Sequence, residues 1–245
     1  MTESQQVIEV RNLIKRFGSK TILRNLNFQV DSGEFVALLG PNGAGKTTFL
    51  RILSSLIRPT SGDVFLAGYR LPEDASAIRS RLGVVSHMPL LYGDLSAEEN
   101  LMFYARLYDL GETKVRIQTI IQQVGLSARR KDLVRTFSRG MQQRLSIGRA
   151  ILHNPSILLL DEPHTGLDQE ACEMLDAVLK QVTGTGRTVV MTSHDLVRIE
   201  DLASRFDILS RGRIQASFSK DKLPVDGLLP AYRQVLQKAS AGVVL

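Results

Sequence analysis

A glycine-rich segment between an apolar run and a helix-like run constrains the fold of this chain more than any other feature. The segment fits the phosphate-loop pattern G-x-x-x-x-G-K-[ST] and reads Gly40-Pro41-Asn42-Gly43-Ala44-Gly45-Lys46-Thr47-Thr48. The apolar run Phe35–Leu39 predicts a buried strand before it, and residues 48–57 predict a helix after it. A strand, a tight loop and a helix in this order form the structural context that such a motif requires.

The residues of this segment have the chemistry of a site for nucleotide phosphates. Because glycine has no side chain, the backbone N–H groups of the loop can turn inward and surround phosphate oxygens. The helix that follows points its positive end toward the same place. We expect Lys46 to reach the β- and γ-phosphates and the Thr47 hydroxyl to ligate Mg²⁺. The alternative is a glycine-rich turn that binds no ligand.

Composition and charge exclude several other classes of protein. Hydrophobic residues make up 43% of the 245 residues and charged residues 23%, which suits a globular domain with its own core. The net charge of +6 is spread along the chain, so we interpret it as solvated surface and expect no direct nucleic-acid binding.

The single cysteine, Cys172, excludes an intramolecular disulfide and a cysteine-based zinc site. Apolar runs fall short of the ~20 residues that span a bilayer, and the polar start lacks a signal peptide, so we expect an intracellular, soluble protein.

Segments after residue 155 alternate between strand-like and helix-like patterns. They comprise strands Ile157–Leu160, Thr188–Thr192 and Phe206–Leu209 and helices Gln169–Val182 and Leu196–Ala203. This alternation predicts an α/β fold whose mostly parallel sheet is covered on both faces. We predict a single domain over 1–245, with a nucleotide-binding α/β core at 1–86 and 155–219, an inserted α-helical subdomain at 87–154 and a C-terminal packing tail at 220–245.

Two carboxylates and a histidine follow the predicted strands. Asp161 and Glu162 come directly after Ile157–Leu160, and His194 follows Thr188–Thr192. In an open parallel sheet, ligands lie at the carboxyl ends of the strands, so we expect these side chains at the phosphate site. Asp161 would face Mg²⁺, Glu162 would hold the attacking water, and His194 would hydrogen-bond the γ-phosphate. The alternatives are an acidic helix cap for the pair and a structural role for the histidine.

Together these segments resemble the ATP-binding subunit of ABC transporters over roughly residues 5–215. Further matching segments are Lys15-Arg16-Phe17-Gly18 (adenine-stacking aromatic), Ser138-Arg139-Gly140-Met141-Gln142 (signature) and His164-Thr165-Gly166-Leu167-Asp168 (dimer loop). The resemblance implies a RecA-like P-loop NTPase fold with an N-terminal antiparallel β subdomain, and ATP and Mg²⁺ as cofactors. It implies an ATPase whose catalytic residues are Lys46, Glu162 and His194.

The resemblance also implies partners. Phe17 would stack on adenine, whereas Ser138, Gly140 and Met141 would contact the ATP held by a second, facing ATPase subunit. Closing and opening of that dimer would drive an integral-membrane permease. The protein would then lie at the cytoplasmic face of the inner membrane, attached through the permease.

Two segments depart from the usual sequence of that family. The signature reads Phe-Ser-Arg-Gly-Met where Leu-Ser-Gly-Gly-Gln is usual, and His87 stands where a glutamine normally offers an oxygen to Mg²⁺. Because Mg²⁺ prefers oxygen ligands and imidazole offers nitrogen, we hypothesise that His87 acts through a bridging water or couples to the partner without touching the metal. Both segments are similar to those of the heme-exporter ATPase of cytochrome c maturation, which implies heme export.

Other functions stay open on the sequence alone. A soluble ATPase of the same superfamily would serve DNA, ribosomes or iron–sulfur cluster assembly, although this chain has no sustained heptads and only one ATPase motif set. A drug or lipid exporter is a further alternative. A nonhydrolysing regulatory binder would not need Glu162 and His194. Four apolar residues either form a docking surface for the permease or lie buried in the helical block: Leu90, Leu91, Tyr92 and Leu95.

Overall fold

The computed structural model of the protein describes residues 6–86, 88–224 and 226–240, so the hypothesis for His87 concerns a residue outside the described ones. The described strands are β1 (Gln6–Phe17), β2 (Lys20–Asp31), β3 (Phe35–Leu39), β4 (Ser61–Leu66), β5 (Tyr69–Leu71), β6 (Leu82–Val85), β7 (Ile157–Asp161), β8 (Thr188–Thr192), β9 (Arg205–Ser210) and β10 (Arg213–Ser219). The described α-helices are α1 (Lys46–Leu53), α2 (Ala75–Arg79), α3 (Ala97–Leu107), α4 (Thr113–Gln123), α5 (Arg139–Ile151), α6 (Gln169–Thr183), α7 (Leu196–Leu202) and α8 (Leu228–Ser240).

A six-stranded sheet with the order β10-β9-β3-β8-β7-β6 lies at the centre of the fold. Its strands pair in parallel except for β10, which pairs antiparallel with β9. Strands β3, β7 and β8 are buried along their whole length, as is typical of parallel strands covered on both faces. The predicted mostly parallel sheet is confirmed.

This sheet separates two hydrophobic cores, because successive side chains of a strand point to opposite faces. Along β3, Phe35, Ala37 and Leu39 enter one core, whereas Val36 and Leu38 enter the other. The first core joins the sheet to α3 through α8, and the second joins it to α1 and the N-terminal strands. Burying one large apolar side chain contributes about 1.5–3 kcal/mol, so the strands are stabilised from both sides.

A second, antiparallel sheet with the order β2-β1-β4-β5 covers α1. The rings of Phe28 on β2 and Phe49 on α1 meet edge to face, with their centroids 5.1 Å apart. The N-terminal antiparallel β subdomain that the family resemblance implies is therefore present.

The helix after the phosphate loop differs in length from the sequence-based prediction. It spans Lys46–Leu53 rather than residues 48–57, so both predicted ends were wrong. It begins directly after Gly45, whose φ of 112° ends the loop. It ends because Ser55 adopts a left-handed φ of 58°, which turns the chain before Ile57. The short elements α2, β5 and β10 were not predicted.

Three helices, α3, α4 and α5, lie between β6 and β7, within the stretch 87–154 that is predicted to form the helical subdomain. The subdomain boundaries at 87 and 154 remain a prediction. The tail forms α8, and the Leu228 N–H at its start donates to Glu200 Oε2 of α7 at 3.2 Å. None of the helices described combines the length and apolar character that crossing a membrane requires.

Candidate functional site

The carboxyl ends of β3, β8 and β7 meet at one edge of the parallel sheet. In the strand register, Leu38 lies opposite Thr192, and Thr192 lies opposite Asp161. The glycine-rich loop leaves β3 two residues after Leu38, and Glu162 and His194 directly follow this level of the sheet. Pairing between neighbouring strands therefore brings the loop after β3 to the ends of β7 and β8, which lie more than a hundred residues later in the chain.

The glycine-rich loop packs closely against β9 and folds around its own lysine. A Cβ atom on Gly40 would lie 2.1 Å from the carbonyl oxygen of Leu209, so only glycine fits there. The Lys46 ammonium, with a side chain only 6% exposed, donates to the Gly40 carbonyl at 2.8 Å and to the Pro41 carbonyl at 3.4 Å. Pro41, Asn42 and Gly43 form an exposed rim, whereas Ala44 and Gly45 are buried. The loop thus curves around the buried ammonium of Lys46.

Thr47 and Asp161 present oxygen atoms to each other beside this loop. The Thr47 hydroxyl donates to Asp161 Oδ1 at 3.3 Å, and Thr48, the next residue of the helix, is half-buried. Asp161 itself is almost fully buried. Hydroxyl and carboxylate oxygens are the donors that Mg²⁺ prefers, so this pair fits the predicted metal.

Glu162 occupies the centre of the group. Its Oε1 lies 3.7 Å from the Lys46 ammonium, and its Oε2 lies 3.5 Å from His194 Nδ1. The Thr165 hydroxyl donates to the same Oε2 at 3.2 Å. Glu162 has a left-handed φ of 48°, which costs a residue other than glycine about 1–3 kcal/mol and turns its side chain toward the loop. His194 is 62% exposed, so this side of the group is open to solvent.

Thr192 connects the two acidic residues and was missed by the sequence reasoning as a site residue. Its buried hydroxyl donates to Asp161 Oδ1 at 2.8 Å and accepts from the Glu162 N–H at 2.9 Å. Thr192 could have been found only from its position at the end of β8, the strand that pairs with β7. A single sequence does not show which strands are neighbours. Thr165 was also not predicted to contact Glu162, because that contact depends on a turn of the backbone between the two residues.

The predicted signature forms the start of α5. The Ser138 hydroxyl caps this helix by accepting from the Met141 N–H at 3.2 Å. A Cβ atom on Gly140 would lie 2.7 Å from the Cβ of Ala171, so glycine allows α5 to approach α6 closely. The side chain of Arg139 lies against Gly166 in the predicted dimer loop.

Two residues of the signature, Arg139 and Gln142, line one cavity with Glu162 and Thr165. The Phe17 ring is about half exposed and carries the Lys15 ammonium 4.7 Å from its centroid, so it is not the core residue of the alternative interpretation. Within the part of the chain that the structure describes, no hydrogen bond or ion pair joins Phe17, Ser138, Gly140 or Met141 to Lys46, Thr47, Asp161, Glu162 or His194.

The dimer-loop histidine is buried against α6 and also lines one cavity with Glu162 and His194. Its Nε2 lies 2.7 Å from Asp176 Oδ1 on α6, and its side chain is only 8% exposed. Burial lowers the pKa of His164, against the opposing effect of the Asp176 carboxylate. A lowered pKa favours the neutral imidazole, whose Nε2–H tautomer would donate to Asp176.

Comparisons with known proteins agree on one family. The family model described as "ABC transporter" matches residues 23–165. The linearmycin resistance ATP-binding protein LnrL of Bacillus subtilis is 37% identical over 219 residues, covering 89% of this chain and 70% of that protein. The Nod factor export ATP-binding protein I of Cupriavidus metallidurans is 36% identical over 209 residues, covering 84% of this chain and 69% of that protein. The dimeric post-hydrolysis structure of the ATP-binding cassette MJ0796 bound to ADP and Pi has a TM-score of 0.79 at 28% identity, covering 87% of this chain and 98% of that one.

A Thr192→Val variant tests the connection between the two acids. It keeps the branched shape but leaves the buried Glu162 N–H without its partner, which costs on the order of 1–3 kcal/mol. Because Asp161 and Glu162 lose their common anchor, we expect ATP turnover to fall by at least about tenfold. Thermal unfolding and a phosphate-release assay measure the two effects.

Thr188→Val is the matched control. Thr188 lies at the other end of β8, is also buried, and accepts a backbone hydrogen bond from the Gly33 N–H at 2.9 Å. Its variant should lose stability and keep its turnover. Parent-like turnover in Thr192→Val, or an equal loss of turnover in both variants, would contradict this account.

Proposed function

The chain belongs to the ABC transporter family, and we propose that its group around Lys46 and Glu162 hydrolyses ATP to drive an exporter. The observation that carries the proposal is the position of Glu162, whose carboxylate lies between the Lys46 ammonium and the His194 imidazole. An acid placed between a phosphate-binding cation and a second polar group can hold a water molecule for attack on a phosphate.

Binding of the triphosphate is assigned to the loop and the start of α1. The loop N–H groups and the first turn of α1 form a site for phosphate oxygens, because the first N–H groups of a helix have no partner within it. Lys46 already lies across this loop, so its ammonium needs only to leave the Gly40 carbonyl to meet phosphate. Thr47 and Asp161 would hold Mg²⁺, which supplies charge neutralisation to the phosphates when bound.

Cleavage is assigned to Glu162 and His194. Glu162 accepts from Thr165 through Oε2 and still has an oxygen for water, so it can orient the nucleophile and receive its proton. His194 is mostly exposed beside the same carboxylate and would hydrogen-bond the γ-phosphate. Loss of that phosphate then removes the contact of His194.

A second ATPase subunit completes this proposal. Ser138, Gly140 and Met141 lie at the start of α5, an end of a helix that suits an anion, yet the described contacts do not join them to Lys46. The Ser138 hydroxyl accepts within the helix cap and can still donate, so we assign these residues to the ATP of a facing subunit and the exposed Phe17 ring to stacking on adenine. The interface would exist only while a triphosphate bridges it.

An apolar patch on the helical side suits a membrane permease as the other partner. The patch consists of Leu90, Tyr92, Phe103 and Leu107, all large side chains that remain exposed. The rings of Tyr92 and Phe103 meet edge to face at 4.9 Å. Exposed apolar clusters of this kind mark interaction sites. Of the four residues considered on sequence, Leu91 and Leu95 are partly buried, so they support the patch from below.

The loop that carries Leu90 and Tyr92 is held by hydrogen bonds to α3. The buried side chain of Asn100 accepts from the Tyr92 N–H at 2.8 Å and donates to the Tyr92 carbonyl at 2.9 Å. The Tyr104 hydroxyl also donates to the Leu90 carbonyl. A preformed apolar loop loses little entropy on docking. Attachment through it would hold the protein at the cytoplasmic face of the membrane.

The cargo is proposed from the relatives alone. Those with informative names serve linearmycin resistance and Nod factor export, so we assign this chain to an exporter of a drug-like small molecule. These names give no support to heme export, which the segments around His87 and Arg139 had implied.

Two variants test hydrolysis. Glu162→Gln removes the base but keeps the shape, so we expect ATP binding within about twofold of the parent and turnover reduced at least about a hundredfold. An ATP-dependent dimer should accumulate in size-exclusion chromatography. Lys46→Ala should instead weaken ATP binding itself. If Glu162→Gln hydrolyses ATP near the parent rate, the assigned role of Glu162 is wrong.

The patch is tested by the double variant Leu90→Ser, Tyr92→Ser. Because it removes apolar contact area, it should fail to co-purify with the permease from detergent-solubilised membranes while keeping the parent affinity for ATP. Leu56→Ser, at a leucine that is more exposed than Leu90 and lies outside the patch, is the control and should co-purify normally. Normal co-purification of the double variant would exclude this docking surface.

A further inference from the structure

Asp176 joins two loops of the proposed site from behind. It lies on α6, and its Oδ1 lies 2.7 Å from His164 Nε2, within hydrogen-bond distance. Its Oδ2 accepts a hydrogen bond from the guanidinium of Arg198. His164 belongs to the loop after β7, and Arg198 belongs to the first turn of α7, which begins two residues after His194. All three side chains are at least four-fifths buried. We call this set the aspartate bridge.

On one side, the aspartate bridge holds the loop that carries Glu162. The Thr165 N–H donates to the Glu162 carbonyl at 3.1 Å, and the Leu167 N–H donates to the His164 carbonyl at 3.2 Å, so the loop is one tight turn around His164. Thr165, the residue after His164, contacts Glu162 Oε2. Fixing the imidazole therefore fixes the hydroxyl that orients the carboxylate.

On the other side, the bridge holds the segment that carries His194. Arg198 Nε lies 3.4 Å from Asp195 Oδ2, and Arg198 Nη2 donates to Gln169 Oε1 at 3.2 Å. Asp195 in turn caps α7 by accepting from the Arg198 N–H at 3.1 Å. The guanidinium fork thus reaches both the residue next to His194 and the first residue of α6.

The bridge requires a hydrogen-bond donor at position 164. Arg198 carries one positive charge, and Asp176 and Asp195 carry the nearby negative charges. Because Arg198 binds the other oxygen of Asp176, a group without a donor at position 164 would leave one oxygen of a largely buried carboxylate unpaired. A neutral imidazole provides one N–H at the required place.

From this geometry we propose that His164 is a positioning residue for ATP hydrolysis, which through Asp176 and Arg198 keeps Glu162 and His194 at their working separation. The inference rests on the proposed function of Glu162 and His194. It assigns His164 no contact with ATP. Its loss should therefore slow the chemical step and leave nucleotide binding intact.

The experiment compares two replacements of similar size in the full chain. His164→Leu fills the space without a donor, and we expect kcat to fall at least about tenfold, with the Kd for ATP within about twofold of the parent. His164→Gln restores an amide N–H near the position of Nε2 and should return kcat to within about threefold of the parent. Thermal midpoints are recorded for all variants.

A purely structural role predicts a different pattern. Parent-like kcat in His164→Leu, equal losses in kcat and ATP affinity, or equal losses of kcat in folded His164→Leu and His164→Gln would each overturn the proposal. If His164→Leu does not fold, the Arg198→Lys variant tests the proposal instead, because Arg198 binds the other oxygen of Asp176. Lysine keeps a cation for Asp176 but loses the fork to Asp195 and Gln169, so kcat should fall, and an unchanged kcat overturns the proposal.

The parent chain separates this proposal from the broader one. A parent without ATPase activity defeats the proposed function before the bridge is tested. An active parent whose His164→Leu variant is equally fast defeats only the aspartate bridge.

Discussion

The parallel register of β3, β8 and β7 is the constraint on which the rest of the structure depends. These strands are buried on both faces, and a shift by one residue would move every side chain to the wrong core. The register therefore cannot slip, and it places Leu38, Thr192 and Asp161 side by side. The glycine-rich loop, Glu162 and His194 come just after these strand ends, so they lie at the same edge of the sheet. A rigid scaffold of this kind can hold polar groups at catalytic distances.

The polar groups at this edge are largely held by one another. The Thr192 hydroxyl is hydrogen-bonded to both Asp161 and Glu162. The Glu162 carboxylate lies close to both Lys46 and His194, and the Lys46 ammonium donates to the Gly40 carbonyl of its own loop. Under the proposed function, ATP would approach most of these groups, and binding would exchange internal partners for phosphate. The aspartate bridge contributes from outside that set, because none of its members is assigned to ATP. Under the proposal, an inner part of the site would rearrange on binding, and the aspartate bridge would stay in place.

Much of this architecture could be predicted from sequence, and the failures have physical reasons. The loop pattern and the apolar runs predicted β3, β7 and β8, because strands buried on both faces are almost continuously apolar. The ends of α1 were predicted wrongly, since Gly45 and Ser55 decide them through backbone conformation rather than periodicity. Thr192 was not predicted as a site residue, because its role depends on which strand lies beside β7. The direction of His164 likewise depends on α6, whose Asp176 is twelve residues away in the chain.

The account depends most directly on a nucleotide being held at Lys46. Isothermal titration calorimetry of the purified chain with a nonhydrolysable ATP analogue, in the presence of magnesium, measures this binding without requiring the permease. The account predicts a measurable heat of association with one nucleotide bound per chain. Absence of any heat of association with adenosine nucleotides would contradict it.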